Sequence, residues 1–244
     1  MSPARVRMTR GIYVTGTDTG IGKTTVSCAL LHALRARGLR AVGMKPVASG
    51  CERTADGWRN DDALRLLAAS DPRPDYALVN LYALPEPTAP EIAAADVGVS
   101  LASEPLRVAF DALSAQSDIV VVEGVGGWAA PLSARLDQAD LARAFGIPVL
   151  LVVGLRLGCI NHARLTAGAI RADGLNLLGW IGNALDPDFA RCEETMAILD
   201  RVIAAPRLGL LPHWTAAMDA TLHSALADAA DHVADFRQGG EVAT

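Results

Sequence analysis

The sequence predicts a three-layer α/β/α fold built on a mainly parallel sheet. Three observations carry this expectation. Short β-branched and apolar runs alternate along the chain with segments whose apolar positions repeat at helical spacing. A glycine-rich turn, Gly16-Thr17-Asp18-Thr19-Gly20-Ile21-Gly22-Lys23-Thr24-Thr25, stands between the first such run and the first such segment. The run Ile119-Val120-Val121-Val122 is β-branched throughout, as suits a strand covered on both faces.

Taken in order, Gly11 to Thr15 reads as the first strand, and Val26, Ala29, Leu30, Ala33 and Leu34 mark the helix after the turn. Gly38 stands where a helix C-terminus wants a residue free to adopt positive φ. Arg40 to Lys45 reads as a second strand ended by Pro46, followed by a polar loop from Ala48 to Asn60. Asp61 to Ala69 is a short helix whose acidic start matches the helix dipole. Pro72, Pro74, Pro85, Pro87 and Pro90 make the next stretch irregular, and it is expected to cross one end of the sheet. A helix from Glu104 to Gln116 leads to the strand Ile119–Glu123, which opens into Gly124-Val125-Gly126-Gly127.

Helices from Asp137 to Phe145, Asn161 to Ala172 and Phe189 to Ile203 then alternate with strands at Val149–Val153, Leu178–Ile181 and Leu208–Pro212. An amphipathic helix from Thr221 to Phe236 closes the series. Right-handed crossovers are expected between the parallel strands. With no repeat, low-complexity tract or linker, the chain is expected to form one domain over residues 1–244, with 1–10 and 239–244 as flexible ends.

Bulk properties narrow the function. A chain of 244 residues can bury a substantial core. Although 51% of it is hydrophobic, no apolar run approaches the roughly 20 residues that span a bilayer. Met1 to Arg10 carries basic residues but no apolar stretch after them, so a secretory signal is not expected and a cytoplasmic location is. A net charge of −5 argues against a nucleic-acid partner. Cys28, Cys51, Cys159 and Cys192 form no C-x-x-C and read as reduced thiols.

The chemistry gathers at strand ends, where open parallel sheets bind ligands. A glycine-rich turn between strand and helix can wrap an anion with its N–H groups, and the helix N-terminus adds partial positive charge. Lys23 is placed to reach the β- and γ-phosphates of a nucleotide, and the Thr24 hydroxyl to ligate Mg²⁺. The loop is a variant, because the first glycine of G-x-x-x-x-G-K-[ST] is replaced by Thr17 and Gly16 lies one place early. Glu123, at the end of its strand, suits Mg²⁺ directly or through water, the alternative being a carboxylate facing solvent. Lys45 can bind a phosphoryl group or an anionic substrate, and taken alone it is equally an exposed structural lysine. Ser49 alone is a turn former, and Asp61 and Asp62 alone are helix caps.

Together, Gly16 to Thr24, Lys45-Pro46-Val47-Ala48-Ser49-Gly50, Glu123-Gly124-Val125-Gly126-Gly127-Trp128 and Gly158-Cys159-Ile160-Asn161-His162 resemble the dethiobiotin synthetase family of biotin biosynthesis, a branch of the P-loop NTPase superfamily. The motifs appear in the family's order from residue 11 to about residue 215. The resemblance implies an ATP-dependent cyclo-ligase that closes a ureido ring from 7,8-diaminopelargonate and CO₂, supplied as bicarbonate. It implies a carbamate, its phosphorylation by ATP to a mixed anhydride, and attack by the second amine.

By the same resemblance Lys45, Lys23 and Thr17 are the catalytic candidates. Thr24, Asp62 and Glu123 are the Mg²⁺ ligands, with Asp61 as the competing neighbour of Asp62. Gly20, Ile21, Gly22, Lys23, Thr24, Thr25, Asp62, Glu123, Gly124, Val125 and Gly126 are assigned to ATP binding. Asn183, Ala184, Pro212, His213, Trp214 and Asp219 surround the adenosine, with Asp219 replacing a family glutamate and Ala184 standing where an acidic residue is common. Ser49, Lys45, Gly158, Cys159, Ile160 and Asn161 bind the substrate. The helix start at Gly158 would serve the neighbouring subunit, which implies a homodimer with shared sites. A helix start can also be capped by Cys159 or Asn161 alone.

Two other readings share the scaffold. An amidotransferase-type synthase needs an ammonia source, and no glutaminase domain fits in 244 residues. A partitioning or regulatory ATPase often carries an early second lysine in the loop or a basic membrane helix. Here no lysine lies between Gly16 and Gly22, and the terminal helix carries Asp228, Asp231 and Asp235.

Overall fold

The computed structural model describes residues 10–213 and 222–237, so most of the two ends proposed as flexible lies outside the described residues. The order begins β1 (Gly11–Gly16), α1 (Lys23–Arg35), β2 (Ala41–Met44), β3 (Val47–Ala48), β4 (Glu52–Thr54), β5 (Gly57–Arg59) and α2 (Asp61–Ala69). Next come α3 (Tyr76–Val79), β6 (Tyr82–Ala83), α4 (Pro90–Asp96), α5 (Ser103–Gln116), β7 (Ile119–Glu123), α6 (Gln138–Phe145) and β8 (Val149–Leu155). The chain continues with α7 (Cys159–Ala172), β9 (Leu177–Ala184), α8 (Cys192–Val202), β10 (Arg207–Leu211), a 3-10 turn at Leu222–Leu226 and α9 (Ala227–Arg237).

Six strands form one parallel sheet in the order β10-β9-β8-β1-β7-β2. Side chains alternate across its faces. Ile12 and Val14 pack with Leu30 and Leu34 of α1, Leu66 of α2 and Val233 of α9. Tyr13 faces the other way, into a cluster with Phe110 of α5, Leu141 of α6 and Ala163 of α7. Because both faces are covered, β1, β7 and β8 are buried at every position. That is why they read as continuous apolar runs rather than alternating ones. Since all six strands run the same way, the turns after β1, β2 and β7 emerge on one rim.

The polar loop holds the hairpin β4–β5, and the proline-rich stretch holds α3 and β6. Lys45 N donates to Val79 O at 2.8 Å and Tyr82 N to Pro46 O at 3.1 Å, so this stretch runs beside the chain leaving β2. Helix α4 was not foreseen. Pro90 opens it at a position where a missing N–H costs nothing, and Ala93 and Ala94 form its buried face. Helix α6 starts on a capping box in which Asp137 and Asp140 each accept the other's backbone N–H. Among the described residues no helix is long and apolar enough to cross a membrane, and the four cysteines are free thiols.

Candidate active site

The turn after β1 is shaped by Gly22, whose φ of 87° is one that other residues rarely adopt. A Cβ there would lie 2.1 Å from Asn183 Nδ2, and that amide donates to Ile21 O at 2.8 Å. The end of β9 therefore braces the loop. Helix α1 begins without an acidic residue in its first turn or a side-chain cap, which leaves its first N–H groups for an anion. Lys23 is only 7% exposed, and its Nζ donates to Asp18 O at 2.8 Å. Burial, then the neighbouring Lys45 charge, push its pKa down to about 8. Asp18 accepts in turn from Thr19 N at 2.8 Å and from Arg156 Nη2 at 2.5 Å, tying the loop to the end of β8.

Glu123, 0% exposed, is the most deeply placed charge at the rim. Its Oε1 accepts from Thr24 Oγ1 at 2.8 Å and from Lys45 Nζ at 2.6 Å. Lys45, 4% exposed, also reaches Asp62 Oδ2 at 3.0 Å and Gly124 O at 3.3 Å. Burial opposes the charge on Lys45, but Glu123 and Asp62 outweigh it and hold the ammonium above its ordinary pKa. Burial likewise opposes the charge on Asp62, and Lys45 outweighs it, keeping that carboxyl below its usual value. The solvent-facing readings of Lys45 and Glu123 are thereby excluded. Asp61 is exposed and does not line the cavity, whereas Asp62 does.

The loop after β7 is fixed from beneath. Gln138 of α6, fully buried, accepts from Tyr13 Oη and donates its Nε2 to Val125 O at 2.7 Å. Burial holds the Tyr13 phenol far above its ordinary pKa, so it stays a donor. A Cβ on residue 124 would come within 3.0 Å of Gln138 Oε1, which explains Gly124.

These elements enclose a cavity of about 340 Å³. Of the sequence candidates, Gly20, Gly22, Lys23, Thr24, Thr25, Lys45, Ser49, Asp62, Glu123, Val125 and Gly126 line it. Ile21 is buried behind them, and Gly124 touches Lys45 through its carbonyl. Thr17 does not line it; its backbone N donates to Val152 O at 3.1 Å and serves the sheet. Asn183 and Ala184 end β9, and Pro212 and His213 follow β10. Trp214 and Asp219 lie outside the described residues. Gly158, Cys159, Ile160 and Asn161 lie apart from the cavity. They open α7, which has neither a side-chain cap nor an acidic first turn. Capping by Cys159 or Asn161 is thus not what they do.

Asn60 and Arg65 also line the cavity and were missed. Asn60 carried a readable signal, since it caps α2 by accepting from Ala63 N at 3.2 Å. Arg65 stands one helical turn after Asp62, a spacing that puts both on one face.

The donor set suits Mg²⁺. Among the described residues no group of three or more His, Cys, Asp or Glu is assembled for a metal. Thr24, Asp62 and Glu123 instead offer a hydroxyl and two carboxylates, hard oxygens for a cation that takes few protein ligands and completes its shell with phosphate oxygens. Glu123 Oε2 is buried and has no hydrogen-bond partner among the described residues, an acceptor that such a cation would satisfy.

Comparison with known proteins agrees with this geometry. The AAA domain family model matches residues 10–221. Among solved structures, the fold resembles the MinC:MinD cell division protein complex of Aquifex aeolicus, with TM-score 0.56 and 15% identity over 96% of this chain and 98% of that one. It also resembles a ParA family ATPase of Chlorobium tepidum TLS, with TM-score 0.54 and 12% identity over 94% of this chain and 99% of that one. At such identities the likeness shows a shared fold and no more. The ATP-dependent dethiobiotin synthetase BioD of Xanthomonas euvesicatoria pv. vesicatoria (strain 85-10) is 68% identical over 85% of this chain and 92% of its own length. On identity of that extent, the chain belongs to the ATP-dependent dethiobiotin synthetase family.

Proposed function

We propose that this chain, as a single ligase domain, closes the ureido ring of dethiobiotin from 7,8-diaminopelargonate, CO₂ and ATP, releasing ADP and phosphate. The observation that carries the reading is the buried Lys45–Glu123 pair beside the phosphate loop, in a chain 68% identical to an ATP-dependent dethiobiotin synthetase. One amine of the substrate takes up CO₂ as a carbamate and loses a proton. A carbamate oxygen then attacks the γ-phosphorus of ATP, ADP leaves, and a carbamic-phosphoric anhydride remains. The second amine attacks the carbonyl carbon and gives up a proton, the C–O bond to phosphate breaks, phosphate leaves, and the ring closes.

A carbamate and a triphosphate repel one another, so the chief task is to hold them close and in line. Lys23 and the start of α1 hold the β- and γ-phosphates. Lys45 is a fixed cation for the oxygens among which charge is redistributed, and it needs no reorganisation because Glu123 and Asp62 already orient it. Ser49 lines the same cavity and binds the substrate. Mg²⁺, held by Thr24, Glu123 and Asp62, would neutralise phosphate charge. Asn183, Ala184, Pro212 and His213 border the adenosine, with Trp214 and Asp219 assigned to it on resemblance alone. The four free thiols suit a cytoplasmic enzyme.

The test is an assay of the purified protein with the diamine, bicarbonate, Mg²⁺ and ATP. Stoichiometric dethiobiotin and ADP are expected, and ATP hydrolysis without ring closure would point instead to a nucleotide-switched ATPase.

We further propose a homodimer with shared sites, because the uncapped start of α7 lies outside its own chain's cavity and suits a substrate carboxylate. Mixing Lys45→Ala subunits with Asn161→Trp subunits should make about half the dimers mixed, each with one intact composite site, so roughly a quarter of parental activity returns. Confirmed exchange without recovery would rule out sharing.

A further inference from the structure

The proline-rich stretch between α2 and α4 has no part in the mechanism above, yet it is bonded to two of the groups that do. Asn80 is 4% exposed, and its Nδ2 donates to Lys45 O at 2.7 Å and to Tyr82 O at 3.4 Å. Its Oδ1 accepts from Tyr76 Oη at 3.1 Å. The same phenol oxygen accepts from Asn60 N at 2.9 Å, and Asn60 caps α2, the helix that carries Asp62. Asp62 closes the circuit at Lys45 Nζ, 3.0 Å away. A second bond, Lys45 N to Val79 O at 2.8 Å, fastens the lysine backbone to α3. The Arg59 guanidinium lies 4.2 Å over the Tyr76 ring and keeps that side chain in place.

We propose that Asn80 and Tyr76 are positioning residues for ring closure, a tie that fixes the Lys45 backbone and the start of α2 together and so sets the place of the Lys45 ammonium. This rests on the reading of Lys45 as the cation at the reacting groups. The chemistry admits little substitution. The residue at position 80 must accept from a phenol and donate to two carbonyls at once, which an amide does and a carboxylate of the same shape does not. In Asn80→Asp a buried carboxylate would face two carbonyl oxygens, so the tie would part rather than merely weaken. Lys45 is oriented by Glu123 and Asp62 at its tip but placed by its backbone. A shift of a fraction of an ångström there moves the charge relative to the phosphoryl group, where about 1 Å of misplacement can cost on the order of a hundredfold in rate.

The experiment compares Asn80→Asp and Tyr76→Phe with the parent enzyme. Tyr76→Phe removes one oxygen and keeps the ring under Arg59, so it serves if Asn80→Asp does not fold. Each folded variant should lower kcat about tenfold to a hundredfold while the KM for ATP stays close to the parental value. In a Lys45→Ala background, where no ammonium remains to be placed, Asn80→Asp should cause no further loss of kcat. A raised KM for ATP with unchanged kcat, or full additivity with Lys45→Ala, overturns the proposal. If the parent itself makes no dethiobiotin, the functional reading fails separately. Amide exchange then judges the tie, since Lys45 N–H and Asn60 N–H should lose protection in the variants, and unchanged protection overturns it.

Discussion

Lys45→Ala is expected to slow ring closure severely and, unlike most losses of an active-site side chain, to destabilise the protein as well. The reason is the company Lys45 keeps. Its Nζ lies 2.6 Å from Oε1 of Glu123, a carboxylate with no solvent exposure. Removing one partner of a buried ion pair leaves the other charged and desolvated, a loss of about 3–5 kcal/mol. Thr24 Oγ1 would still donate to Glu123, but a neutral hydroxyl does not offset a buried charge. The kinetic loss should be about a hundredfold to a thousandfold, the scale seen when a preorganised group at the reacting atoms is removed.

The two losses separate in a double variant. Lys45→Ala combined with Glu123→Gln removes the stranded charge, so most of the stability should return while activity does not. Chemical denaturation of the parent, the two single variants and the double variant measures this coupling. Full additivity of the stability changes would mean that Lys45 and Glu123 do not depend on one another. A Lys45→Ala protein as stable as its parent would contradict the burial of the pair.

How much of this was legible in the sequence follows from the range of the interactions involved. The start of α1 was plain because strand, glycine turn and lysine are contiguous, and β7 because burial on both faces demands an unbroken apolar run. Helix α2 was legible from its acidic first turn. Which of Asp61 and Asp62 faces the site was not, because that depends on the rotation of α2 against β2, set by Leu66 and Ala69 in the core. The burial of Lys45 and Glu123 was equally hidden, since two long-range neighbours define it. The stretch from 71 to 90 read as irregular, and so it mostly is. Its bonds to Lys45 and Pro46 run between backbone groups and one asparagine amide, and no periodicity announces such bonds. Thr17, a candidate by resemblance, has a backbone role that no pattern announces, since its N–H extends the sheet against Val152.

Glu123→Gln should shift the Mg²⁺ requirement more than it disturbs the fold. The amide keeps the shape, and its oxygen can still accept from Thr24 and Lys45. What changes is the second oxygen. Glu123 Oε2 is buried without a hydrogen-bond partner among the described residues, and the variant puts an NH₂ group there. A carboxylate oxygen in that place can serve a hard cation, whereas an amide nitrogen cannot, and the formal charge that draws the cation is gone as well. The Mg²⁺ concentration for half-maximal rate should therefore rise by at least about tenfold. The unpaired donor should cost about 1–3 kcal/mol, less than the stranded charge in Lys45→Ala. Two measurements check this. Titration of Mg²⁺ at saturating ATP reads the requirement directly. The rise in Tm that Mg²⁺ and ATP produce together reads binding without turnover, and it should shrink in the variant because stabilisation by a ligand falls with its affinity. A variant with the parental Mg²⁺ dependence and the parental rise in Tm would remove Glu123 from the metal site. Its carboxylate would then serve only to orient Lys45.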